Sequence, residues 1–316
     1  KAAVSAIADD SNLDLTVSTP IAGITITNEG LAELAAQSGA TAAISAGLVA
    51  VTGADGKTAS AVQVDVSVDG RSVKTVAGGI AVTIPGGERD TGNVLALVHD
   101  GGTETIIRKS IVREGGSHAA ILPGPATVRI VDNSKEFDDV ADTFWASGAI
   151  DFTAARELFS GTGGTAFSPD APMTRGMLVT VLYRLEDAAA EGAGSFTDVA
   201  DGAWYENAVT WASSNEIVNG VGNGLFEPDQ SITRQDLAVM LYRYAGFLGM
   251  DTAASGDLSR FCDQGQVASY AREAMEWAVD SGLISGRTGP TLAPTGTATR
   301  AEAAAILQRL IINMAG

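Results

Sequence analysis

The feature that most constrains this chain is a repeat of its own sequence. FDDVADTFWASGAIDFTAARELFSGTGGTAFSPDAPMTRGMLVTVLYR, from Phe137, aligns without a gap on FTDVADGAWYENAVTWASSNEIVNGVGNGLFEPDQSITRQDLAVMLYR, from Phe196, 59 residues further on. Phe, Asp-Val-Ala-Asp, Trp, the loop glycines, Phe-x-Pro-Asp, Thr-Arg and Leu-Tyr-Arg coincide. A third copy starts at Phe261, offset by 65 residues there and by 66 at Arg300, so one residue is inserted before Tyr270. Each copy reads as loop, helix, glycine-rich loop, second helix. A helix pair of this size cannot bury its apolar face alone, so the three are expected to stack or to trimerise within the chain.

The first 130 or so residues of the 316 have a different rhythm. In AVQVDVSVDG, Val62, Val64, Val66 and Val68 share one face, and Asp-Gly supplies the turn. GIAVTIPGG, NVLALVHDGG, ETIIRKSIVREGG and ATVRIVDN repeat the theme, each closed by Gly, Asp or Asn. Only NEGLAELAAQSG reads as a helix, with Asn28 as its cap and Gly39 as its stop. Short strands between such turns predict a β-sandwich-like, mostly antiparallel domain over 1–131. The helical half follows over 132–316, with repeats at about 137–190, 195–249 and 258–316. Every lysine lies at or before Lys135, so composition changes at the same place.

Charge and residue usage exclude several functions. Twenty basic against 38 acidic side chains leave a formal charge of −18, which opposes binding to nucleic acid or an anionic membrane surface. No apolar run approaches the roughly 20 residues that span a bilayer. A single cysteine, Cys262, allows no internal disulfide and reads as a small buried hydrophobe. His99 and His118 are the only histidines, and no metal-binding or phosphate-loop spacing is present. No cofactor, metal site or catalytic constellation is therefore expected, and the chain reads as a non-enzyme. It begins at Lys1 without an initiator Met or a signal-peptide pattern, which points to a mature or trimmed fragment.

The repeat motifs resemble the S-layer homology (SLH) domain, whose pattern opens with Phe-x-Asp-Val, runs through Trp-Tyr and a glycine loop, and ends in Thr-Arg-Ala-Glu. The resemblance covers about 180 residues and all three copies. It implies one all-α unit of three helical repeats in a pseudo-threefold bundle. It also implies non-covalent anchoring of a surface protein to the bacterial cell wall, commonly through pyruvylated secondary wall polysaccharide. Peptidoglycan is the other candidate polymer, self-assembly in a surface layer is compatible, and the implied location is extracellular. The alternatives are an anchor fragment of a wall- or glycan-degrading enzyme and an S-layer structural or assembly protein with the same anchor.

One motif residue runs against helix chemistry. Thr233 to Asp236 and Thr299 to Glu302 have capping-box spacing, which accounts for the hydroxyl and the acid. An arginine at the first helical position is disfavoured by the dipole, yet Arg175, Arg234 and Arg300 recur in register. Beside free first-turn N–H groups and the preceding loop, such an arginine makes a positive pocket suited to a carboxylate; a structural ion pair is the competing role. In SLH domains the matching arginine contacts the acidic ketal of the wall polymer. The resemblance adds Asp139, Asp198 and Asp263 as acceptors for sugar hydroxyls, and Trp145, Trp204 and Tyr270 as either sugar platforms or core. Gly161, Gly220 and Gly286 would permit a tight loop and close ligand approach. Repeat one lacks the capping acid, having Met177 there, and repeat three has Leu292 for the loop Phe and GQVASY after Asp263. The motif around Arg234 is thus the most intact, and at least one groove is expected to be weak or silent.

Overall fold

A computed structural model describes residues 13–37, 41–53, 56–86, 90–189, 194 and 196–315. They form two units that divide between Lys135 and Glu136, three residues beyond Asp132, where the last strand ends.

The first unit holds two antiparallel sheets. One is ordered β1 (Leu15–Ser18), β2 (Gly23–Ile26), β6 (Ile80–Ile84), β10 (His118–Leu122), β9 (Ile111–Val112). The other runs β3 (Ala42–Thr52), β4 (Thr58–Val68), β11 (Ala126–Asp132), β7 (Asn93–Val98), β8 (Glu104–Ile106), with β5 (Arg71–Ser72) paired on β4. The period-two alternation places Val62, Val64, Val66 and Val68 in a core shared with Ile24, Ile26, Ile80 and Val82 of the first sheet. Each such side chain contributes about 1.5–3 kcal/mol by leaving water. Asp69 and Gly70, at φ 50° and 74°, make the turn from β4 to β5, as positive φ at both central positions requires.

Leu31 and Leu34 of α1 (Asn28–Ala36) complete that core. Its cap is Thr27 rather than the expected Asn28. Thr27 is extended and its hydroxyl accepts from the Gly30 N–H at 3.5 Å, whereas Asn28 is already inside the helix. The expected stop, Gly39, lies outside the described residues.

The second unit alternates short and long helices: α2 (Ser147–Ala155), α3 (Arg175–Glu186), α4 (Glu206–Ser214), α5 (Arg234–Phe247), α6 (Arg272–Asp280) and α7 (Arg300–Met314). The partners are not those of the repeat: α3 packs on α4, α5 on α6, and α7 returns to α2. Each long helix thus covers the short helix of the next repeat, and the third closes on the first. Three backbone bonds trace the same circuit. Ile232 N–H donates to Met173 O at 2.8 Å, Met173 N–H to Ala298 O at 2.9 Å, and Ala298 N–H to Ile232 O at 3.0 Å. All three residues are buried, so these bonds are shielded from competing water. The irregular GQVASY stretch of repeat three forms two 3-10 turns, Gln264–Gln266 and Ser269–Ala271, ahead of α6. No helix among the described residues is long and apolar enough to cross a membrane.

Candidate functional site

Each long helix starts at a threonine cap. Thr174 and Thr233 accept from the N–H of Met177 and Asp236, each at 3.2 Å. Thr299 accepts likewise from Glu302 N–H, and Glu302 Oε2 takes the Thr299 N–H at 3.1 Å, completing a reciprocal box. In repeat two the shorter Asp236 accepts the Thr233 hydroxyl instead, at 2.6 Å. Repeat one, with Met177, has only the threonine half.

The first-turn N–H groups beside the arginines are not free. Arg175 and Gly176 donate to Gln230 O and Pro228 O; Arg234 and Gln235 to Gly296 O and Pro294 O; Arg300 and Ala301 to Ala171 O and Pro169 O. In every case the acceptor belongs to the loop of the following repeat, the first counting as the one after the third. The N–H part of the expected positive pocket is therefore used in assembly.

The guanidinium groups follow the same route. Arg175 Nε donates to Phe226 O at 2.8 Å and Nη2 to Asn219 O at 3.2 Å. Arg300 Nε donates to Phe167 O at 2.9 Å and Nη2 to Ser160 O at 2.8 Å. Arg234 Nε donates to Leu292 O at 3.0 Å, and its Nη1 lies 3.3 Å from Glu302. All three arginines are buried, and that desolvation lowers their pKa. Arg175 and Arg300 also stack over the Phe226 and Phe167 rings, at 4.7 and 4.5 Å.

The aspartates hold the same loops from the other side. Asp139 accepts from Phe167 and Ser168 N–H, both at 2.7 Å. Asp198 accepts from Phe226 and Glu227, and Asp263 from Leu292 and Ala293. Ser168, Glu227 and Ala293 have φ of 59°, 57° and 52°, a left-handed turn that aims two successive N–H groups at one carboxylate. The N–H bond from Phe167 leads in holding Asp139 below the ordinary carboxylate range. At Asp198 and Asp263 burial pulls the other way, and the paired N–H bonds overcome it. Each clamped loop thus offers its N–H groups to its own aspartate and a carbonyl to the preceding arginine. The geometry joins Arg175 with Asp198, Arg234 with Asp263 and Arg300 with Asp139, always across a repeat boundary.

The glycines are required by packing. A Cβ on Gly220 would stand 2.5 Å from Leu225 O and 2.7 Å from the Phe196 ring; on Gly286 it would meet Thr291 O and the Phe261 ring, both at 2.9 Å, and on Gly161 it would meet Ala166 O at 2.8 Å, with the Phe137 ring at 3.5 Å.

The aromatic positions face outward. Trp145, Trp204 and Tyr270 are 63%, 58% and 63% exposed, while the other two tryptophans, Trp211 and Trp277, are buried. Tyr270 leans over the start of α5, its hydroxyl donating to Asp236 at 2.7 Å. Cys262, expected inside, is exposed because it follows the buried Phe261 on a loop, at the place of the exposed Asp138 and Thr197.

Sequence reasoning missed a second arginine set. Arg184 and Arg309 donate to Leu158 O and Leu283 O, tying the long helix to the loop of its own repeat. Their recurrence in Leu-Tyr-Arg and Leu-Gln-Arg was the available signal. It also missed Arg287, which lies 2.7 Å from Glu302.

The candidate site is thus a set of three equivalent junctions on a closed circuit of helical repeats, each formed by an arginine of one repeat and the clamped loop of the next. These repeats are S-layer homology domains: that family's model matches at residues 136–176, 195–238 and 260–304. Among curated relatives, an amylopullulanase of Thermoanaerobacterium thermosulfurigenes is 32% identical over 56% of this chain and 10% of its own length. A surface-layer 125 kDa protein of Lysinibacillus sphaericus is 28% identical over 63% of this chain and 17% of its own. A cellulosome-anchoring protein of Acetivibrio thermocellus is 28% identical over 48% of this chain and 35% of its own. The chain therefore spans a small part of the length of these relatives.

Proposed function

We propose that this chain is a non-enzymatic anchor that holds its β-rich unit at a bacterial cell surface by binding an anionic, pyruvylated secondary wall polysaccharide. The observation that carries the reading is the outward placement of Trp145, Trp204 and Tyr270 on a unit whose other tryptophans are buried. An exposed ring at the same place in every repeat costs hydration free energy that a stacked sugar face recovers. The three buried arginines at the repeat junctions supply positive charge on a protein of net charge −18. The names of the relatives, a surface-layer protein and a cellulosome-anchoring protein, support a wall-bound, extracellular setting. In this reading the two sheets form a β-sandwich and the ring is pseudo-threefold. Several modest grooves on one repeating polymer give retention by avidity.

The test is co-sedimentation of the chain with bacterial wall sacculi, before and after mild acid removal of pyruvyl ketals. Binding that disappears with the ketals supports the reading. Binding that survives their removal points to neutral sugar or peptidoglycan, and no binding to any sacculus overturns the anchor.

A further inference from the structure

The three grooves are alike in backbone but not in charge. At Arg234 the guanidinium already has an acid: Glu302 Oε1 lies 3.3 Å from its Nη1. Glu302 is held there by Arg287, whose Nε and Nη2 reach its two oxygens at 2.7 and 2.8 Å. Arg287 Nη2 is in turn anchored on Thr297 O at 2.6 Å. A carboxylate entering this groove would displace a bidentate pair already formed, and the closed pair occupies the place where a ligand acid would lie.

The equivalent positions differ in the other two grooves. Where Glu302 stands beside Arg234, repeat register puts Asp236 beside Arg175 and Met177 beside Arg300. Where Arg287 stands, the register gives Val221 and Thr162. Among the described residues neither Arg175 nor Arg300 has an ion-pair partner within salt-bridge distance, and the hydrogen bonds of both run from Nε and Nη2 to backbone carbonyls, leaving each Nη1 without an acceptor. The surroundings of Arg175 nevertheless include the carboxylates of Asp236, Glu227 and Asp198, whereas Asp139 is the one that bears on Arg300.

We infer that the groove closed by Arg300, between the third and first repeats, reads the carboxylate of the wall polymer, and that the groove at Arg234 is shut by this chain's own Glu302. The assignment rests on the wall-polymer reading above. It reverses the order expected from motif integrity: Met177, a departure from the motif, leaves the groove open, and Glu302, the motif residue, together with Arg287 closes one.

The test uses the full chain and two probes: a methyl glycoside carrying a 1-carboxyethylidene ketal, and the neutral methyl ester of that ketal. Met177→Glu places an acid beside Arg300 at the position that Glu302 holds beside Arg234. It also supplies the missing N3 acid for the Thr174 cap, so it should leave thermal stability equal or higher. Met177→Gln has the same length without the charge. By calorimetric titration the acid should bind the wild type and Met177→Gln alike, and Met177→Glu about tenfold or more weaker. The ester should bind all three weakly. Glu302→Gln, which frees Arg234, should raise the number of glycosides bound per chain. Wild-type affinity in Met177→Glu, or equal affinity for acid and ester, would overturn the assignment. A wild type that binds neither the glycoside nor wall sacculi overturns the wall-polymer reading itself.

Discussion

An arginine at the first position of a helix opposes the dipole by several tenths of a kcal/mol. Here the cost is offset three times over by charge-assisted bonds to carbonyls of the neighbouring repeat, at about 1.5–3 kcal/mol each. Those carbonyls sit where the Phe-x-Asp aspartate puts them, so the two motif residues work as a clamp and a staple. Asp198→Ala leaves the N–H groups of Phe226 and Glu227 without their acceptor and should cost about 1–3 kcal/mol in chemical unfolding. The three aspartates are held below their ordinary pKa, so their contribution is complete above the unfolded value of about 3.9 and is lost as pH falls through the lower folded value. The Asp198→Ala variant should therefore lose less stability than wild type between neutral pH and pH about 3. An equal acid response in both proteins would show that this clamp does not titrate as described.

At the scale of elements, local chemistry was largely legible and partnership was not. Alternating valines announced β4 because period-two burial needs only neighbouring residues. The Thr-Arg helix starts were equally local, and all three threonines cap. Two misplacements were also local: the cap of α1 moved one residue back to Thr27, and Cys262 turned outward. What the sequence could not reveal was that Arg175 serves the loop of Phe226, 51 positions away, or Arg300 that of Phe167, 133 positions away. Repeats in register show that residues are equivalent, not which of them touch. Capping strength offers a check at this scale. Thr299 both accepts and donates within its box, whereas Thr174 only accepts, so Thr299→Ala should cost more, about 1–2 kcal/mol against 0.5–1 for Thr174→Ala. Equal losses measured by urea denaturation would mean that the Glu302 half of the box contributes nothing.

Over the helical unit as a whole, the bonds form a circuit with no end. Repeat one is stapled to two by Arg175, two to three by Arg234, and three back to one by Arg300. The buried ring of Met173, Ile232 and Ala298 has one member from each repeat. An open solenoid would tolerate the loss of an end repeat, because each repeat needs only its neighbours. A closed ring would not. Ending the chain before Phe261 removes the loop that receives Arg234, the helix that covers α2 and one member of the central ring together. The two remaining repeats should then lose most of their helical far-ultraviolet signal, while the β-rich unit, whose core uses only its own residues, keeps its sheet signal. In the full chain the helical unit should melt in a single cooperative step. A stable two-repeat fragment would instead show that neighbour contacts suffice and that closure serves only to shape the grooves.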